Sequence, residues 1–370
     1  MPLFEQQVSV IVRSVRAFFN LQAGVTRSGA APPPSWLGQA GQNGELEAIR
    51  QELESKDREL MELRARPAGN GAGTEASLQA APLGLAGVVA RGPGAQRPIR
   101  TDQLIWMFGH SRTGSTWLSW MMAELENQER WHEPYVGMLF GFFMFQKLKG
   151  RDTLLNNPTF IMGEPYREVW LRSIRNFILE GAAARFPELG EGQYLVVKEP
   201  NGSIGAPLLL EATPGSRMIF LIRDPRDVVA SRLDAFREGS WTGRNRDYST
   251  PKKLIKGTRR LADDYLKVVS QVQEAYEAYP GEKALVRYED LRHDTVGALK
   301  AMYEALEVEA DEAQLEAAVA KHSWAQIPES EKGKDKFFRK AQPGSWRDDL
   351  SPGQVKLIEH ITGDVLSKYY

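Results

Sequence analysis

The chain has no cysteine, and that absence excludes disulfide bridges, thiolate metal sites and thiol nucleophiles together. It suits a reducing compartment, and a cytoplasmic protein is the expectation. Histidine is scarce as well: five residues, none paired at ligand spacing, so no metal site is expected. Neither sign of charge is in excess, since 47 Lys and Arg meet 48 Asp and Glu. The basic field that binds nucleic acid is therefore missing, and any anion site must be local. No apolar run reaches the roughly 18 residues that a membrane span needs. The apolar stretch from Val8 to Val12 is too short for a signal-peptide core, and Arg13 interrupts it. What is present is a chain of 370 residues that is 42% apolar and 26% charged, enough to bury a large core.

The first hundred residues read as an appendage. Over 1–22, Phe4, Val8, Ile11, Val12, Val15, Phe18 and Phe19 form an apolar stripe at helical period. Two settings fit such a stripe: a helix packed on protein, which is the expectation, or a helix lying on a membrane surface. Residues 23–43, with Pro32-Pro33-Pro34, form a linker. Over 44–66, Leu46, Ile49, Leu53, Lys56, Leu60 and Leu63 alternate at spacings of three and four. This is a short coiled-coil seam through which the chain would form a homo-oligomer; a solitary solvated helix is the alternative. Residues 67–100 return to Gly, Ala and Pro and form a second linker.

From residue 101 the pattern changes. Short apolar runs at 103–108, 194–197, 218–222 and 284–286 predict strands. Amphipathic stretches at 114–125, 166–186, 225–236, 251–279 and 296–306 predict helices between them. The alternation implies βαβ units, hence one three-layer α/β domain over 101–370 with a mainly parallel sheet covered on both faces.

Two segments of this domain carry chemistry. Gly109-His110-Ser111-Arg112-Thr113-Gly114-Ser115-Thr116-Trp117 lies between the first strand and its helix. Such a turn aims successive backbone N–H groups and a helix N-terminus at one point, a cradle for an anion, with Ser115 and Thr116 as further donors. Gly109 and Gly114 have the spacing of a nucleotide P-loop, but Ser115 stands where an NTPase has lysine, and the cation is Arg112. A plain helix cap is the alternative. The second segment, Arg223-Asp224-Pro225-Arg226-Asp227-Val228-Val229-Ala230-Ser231, follows another strand. Pro225 can open a helix that Asp224 caps, with Ser231 two turns along it. Arg223 at the strand end and Ser231 can grip a second phosphate, or Arg223 can simply pair with Asp227 at the surface.

Arg112 through Trp117 resembles the loop with which sulfotransferases dependent on 3′-phosphoadenylyl sulfate (PAPS) bind the 5′-phosphosulfate. Arg223 and Ser231, eight positions apart, are similar to that family's 3′-phosphate site. Phe337-Phe338-Arg339-Lys340-Ala341-Gln342-Pro343-Gly344-Ser345-Trp346 is similar to its R-K-G-x-x-G-x-W loop, which closes over the same phosphate. Tyr288, in Val286-Arg287-Tyr288-Glu289-Asp290-Leu291, is like the strand-end tyrosine near the adenine. The likeness runs in order from about Gln103 to Tyr370. It implies PAPS as co-substrate and a hydroxyl-bearing acceptor: glycan, tyrosyl, lipid or phenolic. Arginine in the loop is closer to the carbohydrate and protein-tyrosine branches than to the cytosolic enzymes, which have lysine. Ala341 replaces the loop glycine, and the K-x-H segment of the cytosolic enzymes has no counterpart.

Sulfuryl transfer needs a base for the acceptor proton and stabilisation of the leaving phosphate. Arg112, the loop amides, Ser115 and Thr116 are expected to do the latter. Lys198 is either an aid from a neighbouring strand end or an ordinary surface lysine. In the loop-arginine branches a glutamate at this distance serves as base, which implies Glu133, with His132 and Glu199 as competitors. Its apolar surroundings, Trp131, Tyr135, Phe140, Phe142 and Phe143, are expected to raise its pKa, although core packing explains most of those aromatics equally well. Trp117 is expected beside the adenine. The rival functions are a P-loop kinase or NTPase and a nucleotide-binding scaffold with a decayed transferase site.

Overall fold

The computed structural model describes residues 98–142, 144 and 152–370. The amphipathic stripe, the linker at 23–43 and the Leu46–Leu63 seam lie outside the described residues.

The central sheet has five strands in the order β2-β3-β1-β4-β5, every neighbouring pair parallel. They are β1 (Leu104–Gly109), β2 (Gln128–His132), β3 (Tyr194–Lys198), β4 (Arg217–Ile222) and β5 (Lys283–Arg287). All six residues of β1 are buried, as expected of a central strand covered on both faces. Leu104, Trp106 and Phe108 point into one core with Val197, Phe220 and Tyr265. Ile105 and Met107 point into the other with Leu118, Ile219 and Leu299. The period-2 alternation of a strand thus splits one sequence run between two cores.

Four strands match the apolar runs to within a residue or two. β2, Gln-Glu-Arg-Trp-His, was not predicted: an edge strand needs burial on little of its length, and its sequence is polar. Gln128, its one fully buried residue, accepts a hydrogen bond from the buried Tyr303 hydroxyl at 3.0 Å.

The helices placed from periodicity are α1 (Ser115–Met122), α3 (Arg167–Arg185), α5 (Pro225–Phe236), α6 (Pro251–Ala278) and α8 (Thr295–Ala305). Periodicity did not separate α2 (Val136–Phe142), α4 (Ala206–Ala212), α7 (Tyr288–His293), α9 (Glu312–Lys321) and α10 (Pro352–Tyr369). Asp224 caps α5 as its position before Pro225 requires, accepting from the Arg226 N–H at 2.8 Å. α6 buries Leu261, Ala262, Tyr265, Val269 and Val272 along one face. A third core, including Val229, Leu233, Leu261 and Ile358, joins α5, α6 and α10. Among the described residues no helix is long and apolar enough to cross a membrane.

Because all strands run the same way, Gly109, His132, Lys198, Ile222 and Arg287 end at one edge of the sheet. Ligands of open α/β sheets bind at that edge.

Candidate active site

β1 ends on Gly109 because nothing larger fits: a Cβ there would meet the Leu221 carbonyl oxygen of β4 at 2.2 Å. The chain then turns through Arg112, held at φ 73°, and Gly114 at φ 91°, which caps α1 in the left-handed conformation. A Cβ on Gly114 would also strike the Tyr288 ring at 2.6 Å, so the glycine brings loop and tyrosine together. Thr113 is fully buried, and its hydroxyl donates to the His110 carbonyl at 2.8 Å. Its side chain staples the turn and does not line the cavity described below, unlike the other residues expected to bind the co-substrate.

Arg112 leaves its own loop. Its Nε donates to Ser231 Oγ at 3.0 Å and its Nη2 to the Phe337 carbonyl at 2.7 Å. The guanidinium lies 4.9 Å from the Phe337 ring centre and 5.5 Å from that of Trp241. Arg112 therefore joins the first loop to α5 and to the C-terminal loop, where the sequence reading had confined it to the first. Burial, then the neighbouring Arg223 and Arg339, lower its pKa to about 10.

Arg223 stands at the end of β4. Its Nη1 donates to the Arg112 carbonyl at 3.2 Å, and its guanidinium lies 4.3 Å over the Tyr288 ring. Its pairing with Asp227, at 3.5 Å, is not the surface contact of the alternative reading, for Asp227 is wholly buried. Asp227 also accepts from the N–H groups of Gly344 at 2.8 Å and Trp346 at 2.9 Å, which fastens the C-terminal loop to α5. In that loop Arg339 and Lys340 both bind Asp349, at 2.5 and 3.0 Å. Ala341, at φ 49°, keeps the left-handed conformation for which glycine would be the easier residue.

At the other end of the edge, Glu133 follows β2 with φ 48°. Lys198 pairs with its Oε1, while Tyr135 Oη and Asn201 Nδ2 donate to Oε2 at 3.0 and 2.7 Å. Lys198 is buried, so it is not the surface lysine of the alternative reading. Of the aromatic residues expected to give Glu133 an apolar pocket, Phe142 and Phe143 have no described side chain, and two others turn elsewhere. Trp131 packs against Phe186 and Phe140 against Phe177, leaving Tyr135 at the site. Burial pushes the Glu133 carboxyl up, but the hydrogen bonds from Lys198, Tyr135 and Asn201 outweigh it and hold the pKa below the usual value. Glu199 has the opposite environment. It is buried, accepts from the Tyr135 and Gly137 N–H groups at 3.1 and 3.2 Å, and is pushed up to about 7, chiefly by desolvation. It does not line the cavity. His132 does, with a pKa lowered by burial and then by Lys198.

The candidate catalytic and co-substrate residues expected from the sequence, all but Thr113 and Glu199, line one cavity of about 830 Å³. It also holds residues to which the sequence assigned no role at the site: Trp120, Asn201, Trp241 and Phe338. Asn201 sits in an Asn-Gly-Ser triplet that reads as a simple turn. Trp120 lies one helical turn beyond Trp117, the only signal that could have found it.

The sequence profile of the sulfotransferase family matches residues 105–312, and the chain belongs to that family. Among solved structures it is similar to mouse sulfotransferase SULT7A1 complexed with PAP (13% identity, 74% of this chain and 90% of that one, TM-score 0.46). It is also similar to sulfotransferase STF9 from Mycobacterium avium (14%, 73% and 78%, TM-score 0.45). A third is retinol dehydratase in complex with androsterone and inactive cofactor PAP (18%, 72% and 81%, TM-score 0.44). No curated protein matches by sequence. The kinase alternative finds no support in the family match.

Proposed function

We propose that this sulfotransferase moves a sulfuryl group from PAPS to an acceptor hydroxyl, with Glu133 as the general base. The observation that carries the reading is the single cavity in which Arg112, Arg223, Ser231, Arg339 and Lys340 meet the Glu133–Lys198 pair. Clustered guanidinium groups, in which Arg223 and Arg339 depress the basicity of Arg112, favour a multiply charged anion. The buried Arg223 Nε has no partner among the described residues, as a donor reserved for a ligand would. Arg223, Ser231, Arg339 and Lys340 would hold the 3′-phosphate. The loop amides, Ser115, Thr116 and Arg112 would hold the 5′-phosphosulfate. Trp117 and Tyr288, in edge contact at 6.4 Å, would flank the adenine.

In the reaction the acceptor oxygen forms a bond to sulfur as the bond from sulfur to the 5′-phosphate oxygen breaks. The electron pair stays on that oxygen, and the acceptor proton passes to Glu133. Glu133 is ionised near neutrality, so it is ready to accept that proton, and Lys198 keeps it so. Adenosine 3′,5′-bisphosphate is expected to raise the thermal midpoint of the full chain well above the effect of ATP, because a ligand of the folded state stabilises it. Arg223→Ala should weaken the bisphosphate by about 1.5–3 kcal/mol while leaving adenosine 5′-phosphate nearly unchanged. ATP preference in the wild type would overturn the reading; equal weakening of both adenosine nucleotides would remove Arg223 from the 3′ site.

A further inference from the structure

The cavity holds more positive charge than the co-substrate employs. Among the described residues eight that line it are Lys or Arg, and Glu133 is the one lining carboxylate. Four of these cations have an acidic partner at the site: Lys198 has Glu133, Arg223 has Asp227, and Arg339 and Lys340 have Asp349. Arg112 and Arg292 have none among the described residues, but both belong to the nucleotide side, Arg292 lying 5.0 Å over the Trp117 ring. The remaining two, Arg232 and Arg244, stand apart. Their guanidinium groups lie 5.1 and 4.5 Å from the centre of one ring, that of Phe236.

Arg232 is buried on α5, one residue past Ser231. Its Nη1 donates to Asp264 Oδ2 at 2.6 Å, an oxygen that also lies 3.4 Å from His110 Nε2. Its Nε is buried without a partner among the described residues. Arg244 is exposed and has no ion pair among the described residues. Asp264 answers only one of these two charges. Burial lowers the pKa of Arg232, Asp264 raises it, and Arg244 lowers it again, so the two guanidinium groups repel each other. A built pair of like charges on an aromatic floor, one with a spare buried donor, is suited to an anion that bridges them. Trp241 and Thr242, beside Arg244 in sequence, line the same cavity.

We propose that Arg232 and Arg244 recognise a carboxylate or sulfate group on the acceptor, which carries this anion in addition to the hydroxyl that is modified. The inference rests on the sulfotransferase reading of the same cavity. Its test uses the full chain saturated with adenosine 3′,5′-bisphosphate, titrated with 4-hydroxyphenylacetate, 4-hydroxybenzenesulfonate and the uncharged 4-hydroxyphenylacetamide. At least one acid should bind about tenfold or more tightly than the amide, the usual worth of a charge-assisted contact. The better acid identifies the group. Arg244→Gln should remove most of that advantage, with the amide and the nucleotide changed less than about threefold, and Arg244→Lys should retain part of it. The inference fails if neither acid outbinds the amide, or if Arg244→Gln weakens the nucleotide in place of the acid. If the bisphosphate itself does not bind, the sulfotransferase reading of the cavity fails first and takes this inference with it.

Discussion

The two ends of the cavity handle charge in opposite ways. At the ends of β2 and β3, Lys198 and Glu133 answer each other, and Tyr135 and Asn201 complete the carboxylate's hydrogen bonds. Where the C-terminal loop meets the ends of β1 and β4, Arg223 and Arg339 lie close enough to lower the basicity of Arg112. A matched pair is self-sufficient and can wait, ionised, for a proton. A crowded cluster, whose Arg112 has no acidic partner among the described residues while Arg223 and Arg339 have one each, is held against its own repulsion by the fold and gains most when an anion arrives. The contrast fits the proposed reading, with chemistry at the first end and binding at the second.

The largest expected effect tests the chemical end. Glu133→Gln keeps shape but cannot take a proton, so turnover should fall about 10²–10⁴-fold with nucleotide affinity nearly unchanged. Because the Glu133 pKa lies below its usual value, the acid limb of the wild-type rate profile should also lie below the ordinary carboxylate range. A limb near neutrality, with Glu133→Gln active and Glu199→Gln dead, would transfer the role to Glu199.

Glu199 supplies the next test, of stability and not of rate. Burial raises its pKa to about 7, against 4.5 for the ordinary carboxyl. Between those values the folded chain keeps a proton that the unfolded chain has released. Its stabilising contribution is therefore complete below about pH 4.5 and is lost as pH rises through about 7, by at most about 3 kcal/mol. Urea unfolding at pH 5 and pH 8 should show this fall in the wild type and a smaller one in Glu199→Gln. Identical pH dependence in the two proteins would mean that Glu199 does not resist ionisation.

What the sequence made legible follows from where its signals are local. The β1 loop, the Asp224-Pro225 cap and Arg223 could be read because glycine, proline and strand ends declare their backbone geometry. The environment of Glu133 could not. Its neighbours Lys198 and Asn201 come from the end of β3 and the turn after it, 65 and 68 residues away, and Trp131 and Phe140, near it in sequence, turn to other contacts. Thr113 shows the same limit within a motif: its hydroxyl faces His110 behind the loop. The second basic cluster depends on α5, α6 and a loop converging, and no spacing announces that.

The smallest effect expected concerns the binding end and asks whether Asp349 competes with the ligand. Asp349, in the helical turn Trp346–Asp349, occupies both Arg339 and Lys340, with Asp348 3.6 Å from Lys340. A 3′-phosphate recruited by those two cations must either displace Asp349 or sit beside it, and like charge makes the second costly. The pair is partly exposed, so solvent screens much of the competition, and Asp349→Asn should tighten adenosine 3′,5′-bisphosphate by only about two- to fivefold. Adenosine 5′-phosphate, which has no 3′ charge, should be indifferent to the change. Added salt should narrow the gap between variant and wild type, since it screens the same repulsion. Weaker binding of the bisphosphate by Asp349→Asn would instead make Asp349 a positioning residue that holds Arg339 and Lys340 in place for the phosphate. The binding end would then be matched in advance like the chemical end, and the contrast between the two would be lost.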